Sequence, residues 1–263
     1  MLSDRGHVRS DNEDCAAFIL PRPGDPDDKR PAMAVVADGM GGHAAGEVAS
    51  RIACETMVRR ALAGGAAPQV LLREAIAEAN DAILDEAARH AELHGMGTTL
   101  TAMLLAGGHV YLGHVGDSRL YIQRGRNLHQ LSQDHTFVAE LARRGELSAE
   151  AARFHPDRNL LYQAVGTRSE FVPMVYPRGL PVKLGDRFLL CSDGLTDMVD
   201  DATIARELAR LGPADACQSL VRLALDAGGH DNVTVGVFHV VDAGAQVPGH
   251  APDTRILVEG RAV

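Results

Sequence analysis

The sequence predicts an α+β fold in which paired helices pack outside antiparallel sheets. Three observations carry that expectation. Strand-like and helical segments come in blocks (strands, a helix pair, strands, a helix pair, a last strand) and not in the one-for-one alternation of a parallel α/β sheet. Gly107-Gly108 and Gly116-Asp117 punctuate neighbouring β-rich runs in the manner of hairpins. From Pro68 to about Arg89, Leu72, Ile76, Ala79, Ile83 and Ala87 recur every three or four residues, the single apolar stripe of a helix lying on a core.

Taken in order, Cys15–Leu20 and Ala32–Ala37 are short apolar runs that read as buried strands. The segment between them, Pro21 to Pro31, is dense in proline and charge and reads as a surface loop. A helix is expected over Ala45–Leu62, stopped by Gly64-Gly65, and a second from Pro68. Thr98–Leu105, Val110–Val115 and Arg119–Gln123 read as strands, and His135–Arg144 and Ser148–Phe154 as short helices within a polar stretch reaching about Asn159. Strands resume at Leu160–Val165, Met174–Tyr176 and Arg187–Leu190. Helices Asp201–Leu211 and Pro213–Ala227 then precede a last strand, Val233–Val241. Pro213 suits a first helical turn and Gly228-Gly229 a stop.

At 263 residues the chain can bury a core without disulfide or zinc staples. With no Trp and only 4% aromatic residues, that core must be built from Ala, Val, Leu and Ile. Lys plus Arg number 26 against 35 Asp plus Glu, a formal charge of −9, so the chain lacks the positive field that nucleic-acid binding relies on. An anionic ligand must be attracted locally instead. No apolar run is long enough to span a membrane, the N-terminal residues do not read as a signal peptide, and Cys15, Cys54, Cys191 and Cys217 are far apart. These features lead us to expect reduced core thiols and a cytoplasmic protein.

Asp38, Asp117, Asp193 and Asp231 sit where apolar strands meet glycine turns, and Asp11, Glu13 and Asp14 precede the first apolar run. A single Asp-Gly is an ordinary turn. Four such carboxylates brought together would repel one another strongly, and a polyvalent cation would make the cluster tolerable. All-oxygen ligands select Mg²⁺ or Mn²⁺, whereas zinc would recruit Cys or His at characteristic short spacings, and no such pattern accompanies these carboxylates.

In this setting the sequence resembles the PPM family, the metal-dependent Ser/Thr protein phosphatases, in its compact bacterial form. The matching elements, in the family's order, are Arg9…Asn12-Glu13-Asp14, Asp38-Gly39-Met40-Gly41-Gly42-His43, Gly46-Glu47, Gly97-Thr98-Thr99, Gly116-Asp117-Ser118-Arg119, Ser192-Asp193-Gly194 and Asp231-Asn232-Val233-Thr234. The resemblance implies two antiparallel sheets packed as a β-sandwich and flanked by helix pairs, four layers in the order αββα. The phosphatase domain would span residues 1–243 with a flap at about 137–159, followed by a loosely ordered tail, 244–263.

Carried over residue by residue, the resemblance makes Asp38 a bridge between two ions, with the Gly39 carbonyl completing one shell. Asp193 and Asp231 would hold the first ion, Glu13 would face the second, and Asp117 would join Asp193 at a third, weaker one. Arg9 would bind the substrate phosphate, and Asn232 and Asp14 would orient ligands. A metal-bridging hydroxide would attack phosphoserine or phosphothreonine directly, with no covalent phosphoenzyme. The implied partners are phosphorylated proteins and the Ser/Thr kinase that modifies them. Nucleic acid and membrane are not expected partners, and the chain is expected to be a monomer.

One departure stands out. Many eukaryotic members place His directly after the Asp-Gly as the acid for the leaving group, but Met40 stands there in this chain. His43 is the candidate acid, with metal-bound water as the alternative donor. Two other functions are compatible with the motifs: hydrolysis of small phosphoesters, and an inactive phosphoprotein-binding module on the same fold. The second is disfavoured by the presence of all four aspartates.

Overall fold

The computed structural model describes residues 1–20, 31–41, 44–148, 151–152, 154–241, 254–258 and 261–262. In chain order the elements are β1 (Leu2–Asp4), β2 (Asp14–Ile19), β3 (Ala32–Met40), α1 (Ala44–Ala63), α2 (Pro68–Arg89), β4 (Gly97–Thr98), β5 (Leu100–Ala106), β6 (His109–Val115), β7 (Arg119–Arg124) and β8 (Asn127–Gln130). There follow α3 (Phe137–Arg143), β9 (Met174–Val175), β10 (Leu180–Pro181), β11 (Arg187–Cys191), α4 (Asp193–Thr196), α5 (Asp201–Arg210), α6 (Pro213–Asp226), β12 (Val233–His239), β13 (Thr254–Val258) and β14 (Arg261–Ala262).

The pairings among these strands are antiparallel and divide them into two sheets. One runs β1-β12-β11-β7-β8. The other runs β10-β6-β5-β3-β2-β13-β14, with β4 on β3 and β9 on β6. The period of two along each strand sets the layers. On β3, Met33, Val35 and Ala37 pack with Ala49, Ala53 and Met57 of α1 and with Leu72, Ile76 and Ile83 of α2. The intervening Ala34 and Val36 face the opposite sheet, where they join Ala16, Met103, Leu112, Leu120, Ile122, Phe188 and Leu190. On the far side Tyr121, Leu189, Val233 and Val235 pack under Ile204 and Leu208 of α5 and Leu220 and Val221 of α6. The order of layers is therefore helix pair, sheet, sheet, helix pair, as expected.

Alanine and branched aliphatics fill these layers, and the four cysteines are free and buried. Phe18 and Phe238 meet edge-on between the sheets, ring centres 6.3 Å apart.

Several expectations need correction. The run Thr98–Leu105 is broken at Thr99, whose backbone N–H and hydroxyl bond Asp38 instead of extending the ladder. Leu160–Val165 is not a strand. Leu161 and Val165 make single bridges, to Thr136 and Thr98, because the segment crosses the sheet ends and does not run along an edge. Asp193 begins a helical turn where a plain turn was expected. β1 and β8 are short and carry no apolar run. Thr254–Val258 pairs with β2, although the residues after 244 lack a core-forming pattern. The Pro21–Pro31 loop lies outside the described residues except for Pro31, and of the expected helix Ser148–Phe154 residues 149, 150 and 153 do.

Candidate metal and phosphate site

The site forms where strands of both sheets end side by side. Asp38 lies near the end of β3, in register with Asp14 of β2, and Gly39 is in register with Thr98. Asp117 sits in the turn leading from β6 into β7. Asp193 starts α4 directly after β11, and Asp231 lies just before β12. A cavity of about 250 Å³ is lined by Arg9, Glu13, Asp38, Gly39, Asp117, Asp193, Asp231 and Asn232. Folding thus brings together every residue named from the sequence as a metal or phosphate ligand. His43 lies outside the described residues.

Backbone contacts hold the walls. The Asp38 N–H donates to Thr99 Oγ1 at 2.9 Å, and the Asp38 carbonyl accepts from Thr98 Oγ1 and from the Thr99 N–H. The Gly39 N–H donates to the Glu13 carbonyl at 3.1 Å. Gly39 must be glycine, since a Cβ there would lie 2.1 Å from the Gly46 carbonyl oxygen at the start of α1. Asn232 ties the N-terminal segment to β12. Its Oδ1 accepts from the Glu13 N–H, and its Nδ2 donates to the carbonyls of Arg5 and Asp11.

Electrostatically the cluster is under stress. Burial holds the carboxyls of Asp38 and Asp117 well above the usual range, and neighbouring carboxylates push the same way. Asp193 is pushed up to about 7, first by burial and then by Asp197 and Asp231. Asp14 is pushed up to about 6 by burial, although its Oδ2 accepts from Ser192 Oγ at 2.7 Å and Thr234 Oγ1 at 2.6 Å. Glu13 is raised by burial, and Arg9 opposes the shift. Arg9 Nη2 donates to Asp231 Oδ2 at 2.6 Å.

Among the described residues no three acidic, His or Cys side chains are drawn into a ready-made metal cage. The residues nevertheless fit a hard divalent cation. The donor set is all oxygen. Buried Glu13 Oε1 and Asp193 Oδ1 have no hydrogen-bond partner, an expensive arrangement for groups that nothing binds.

A larger cavity, about 390 Å³, adjoins the first and shares Asp117, Asn159 and Asp193 with it. It also contains residues that sequence reasoning missed. Arg119 forks onto both oxygens of Asp134. Outside that lining, His135 bonds the turn bearing Asp117. Arg158 and Asn159 both donate to Asp197 Oδ2, at 3.3 and 3.2 Å. The polar run Asp134-His135-Thr136 ahead of α3, with Thr136 capping that helix, was the available signal.

The sequence model for protein phosphatase 2C matches residues 24–221. The chain belongs to the protein phosphatase 2C family. The serine/threonine protein phosphatase PstP of Mycobacterium tuberculosis H37Rv is 43% identical over 246 residues, 91% of this chain. The chain spans only 44% of the length of that relative. The serine/threonine phosphatase stp of Listeria monocytogenes EGD-e is 36% identical over 239 residues, covering 89% of this chain and 92% of the relative. A crystal structure of the catalytic domain of PstP in complex with two manganese ions superposes with a TM-score of 0.79 at 40% identity, covering 91% of this chain and 96% of that one. Membership of the 2C family accounts for the αββα layers. No helix among the described residues is long and apolar enough to cross a membrane.

Proposed function

We propose that the chain is a metal-dependent protein serine/threonine phosphatase, hydrolysing phosphoserine and phosphothreonine in phosphorylated proteins. The observation that carries this reading is the single cavity in which five carboxylates, contributed from the ends of both sheets, meet one arginine. The phosphatases named among the relatives, and the two manganese ions of the PstP complex, support it.

Asp38 would be shared by two ions, and the Gly39 carbonyl would complete one shell. Asp193 and Asp231 would hold the first ion, Glu13 the second, and Asp117 with Asp193 a third. When bound, Mn²⁺ or Mg²⁺ supplies an activated water and neutralises charge on the transferred phosphoryl group. The chain's residues do the rest. Arg9 offers a planar fork for two phosphate oxygens. Asn232, Thr98 and Thr99 hold the backbone that bears Glu13 and Asp38, and Asp14 holds Ser192 beside Asp193. Neither serine beside a ligand is available as a nucleophile. Ser118 Oγ is bonded to Thr99 Oγ1 and Ser192 Oγ to Asp14, and both are fully buried, so direct attack by water without a phosphoenzyme is favoured. Met40 lines the cavity where many eukaryotic members of the family have histidine, which leaves His43 or a metal-bound water to protonate the leaving alkoxide.

The excursion at about 137–159, from α3 to the Asn159 that borders both cavities, serves as a flap over protein substrates. In its cellular setting the enzyme would be cytoplasmic and monomeric and would oppose a separate Ser/Thr kinase. The test is phosphate release from a phosphothreonine peptide and from nucleotides, with Mn²⁺ or with chelator, in wild type and Asp38→Asn. We expect peptide turnover that needs the metal and disappears in the variant. Full turnover in excess chelator rejects the reading, and a preference for nucleotides replaces it with a small-phosphoester hydrolase.

A further inference from the structure

We infer that Arg9 and a divalent cation compete for one oxygen of Asp231, so that cation binding releases the guanidinium to the phosphate. The inference rests on the metal-dependent reading above and concerns the order in which that site fills. Both oxygens of Asp231 are engaged. Oδ1 accepts from the Asn232 N–H at 2.8 Å and Oδ2 from Arg9 Nη2 at 2.6 Å. The first donor is backbone, fixed by the start of β12. The second is the tip of a long side chain that is 52% exposed, on a segment without regular structure. Oδ2 is therefore the oxygen whose partner can change.

The surrounding charge gives the exchange a direction. Among the described residues lining the cavity, Arg9 is the sole cation, facing Glu13, Asp38, Asp117, Asp193 and Asp231. Its guanidinium acts as counterion to the cluster and feels Asp38 and Glu13 as well as Asp231. A hard divalent cation binds carboxylate oxygen more strongly than a half-exposed guanidinium does. A phosphate dianion, in contrast, is repelled by the acidic cluster until cations are present. The cation therefore enters first, takes Oδ2 and frees Arg9, whose donors then turn to phosphate oxygens. Linkage requires the converse: phosphate, by engaging Arg9, tightens cation binding.

The experiment titrates Mg²⁺ into the metal-stripped full-length chain by calorimetry, for wild type and Arg9→Gln, and follows the Arg9 Nε–Hε NMR signal, assigned by its loss in the variant. We expect Arg9→Gln to bind Mg²⁺ about three-fold or more tighter than wild type, as removal of a competing ion pair requires. The Arg9 signal should move in step with occupancy. Equal or weaker affinity in the variant overturns the inference while leaving the phosphatase reading intact, and so does an Arg9 signal that stays fixed as Mg²⁺ binds. A wild-type chain that takes up no Mg²⁺ removes both.

Discussion

Gly116 and His135 hold each other from both sides. The His135 N–H donates to the Gly116 carbonyl at 2.8 Å, and the Gly116 N–H donates to His135 Nδ1 at 3.1 Å. The His135 carbonyl in turn accepts from the Tyr162 N–H, so the two ends of the excursion at 137–159 are joined to the turn that carries Asp117. Nδ1 can accept only from a neutral ring. Burial, helped by Arg143, lowers the His135 pKa to about 4 and keeps it neutral. Replacing His135 by Ala leaves the Gly116 N–H without a partner and should cost about 1–3 kcal/mol. His135→Asn, which keeps an acceptor, should recover part of the loss. Urea unfolding with amide exchange at Gly116 checks both, and an unchanged exchange rate in the Ala variant would show that the bond does not hold the turn.

The pH dependence of stability in chelator should contain opposed contributions from buried histidines and buried carboxyls, of which His114 and Asp14 are one each. His114 is buried between Thr101 Oγ1 and the Gln133 carbonyl, and burial, with His135 next, lowers its pKa from 6.5 to about 3. Its contribution is complete above pH 6.5 and is lost as the pH falls toward 3, because the unfolded chain takes the proton first. Asp14, raised from 3.8 to about 6, works the other way: its contribution is complete below 3.8 and is lost as the pH rises through 6. Between pH 4 and 6, therefore, Asp14→Asn should make stability rise more steeply with pH than in wild type, and His114→Gln less steeply. Urea midpoints across that range decide it, and parallel profiles for all three proteins would contradict both assignments.

Gly39→Ala should destabilise the chain by about 1–3 kcal/mol, since a Cβ at 2.1 Å from the Gly46 carbonyl forces β3 and α1 apart. The displaced backbone includes the carbonyl proposed as a ligand, so Mn²⁺ affinity should fall as well. Chemical denaturation and manganese titration measure the two effects, and a variant as stable as wild type would mean that the contact relaxes freely.

Asp38→Asn should separate stability from function. The Asp38 carboxyl is buried among like charges, so in chelator the amide should leave the fold unharmed or raise it by about 1 kcal/mol, roughly 2–4 °C in a chain of this size. With Mn²⁺ the order should reverse, because wild type gains ligand stabilisation that the variant cannot. Thermal melts in both buffers suffice. A wild-type melting temperature unmoved by Mn²⁺ would count against cation binding by the cluster.

The carboxylates that line the cavity were easier to read from the sequence than the residues that hold them. Asp38, Asp117, Asp193 and Asp231 were legible because each combines an apolar strand, a carboxylate and a neighbouring glycine within a few residues. The layered fold was legible for a similar reason, since the period along β3 and α2 is a local property. His135, Asp197 and Arg158 were not, because each acts through a partner distant in sequence: Gly116 for the first, and one another for the other two. Nor could local pattern announce β1, three residues whose pairing with β12 depends on a strand more than two hundred positions away.

The two walls of the cavity belong to different sheets: Glu13 and Asp38 border strands of one, Asp193 and Asp231 border strands of the other. The gap between the walls is set by the stuffing of the middle layer, where Val36, Met103, Phe188 and Leu190 keep the sheets apart. A methylene added or removed there acts as a spacer on the jaws of a vice, changing the span across which the proposed ligands would share an ion. Under the proposed function, residues with no polar atom in their side chains would tune the grip on the ions from deep in the hydrocarbon interior.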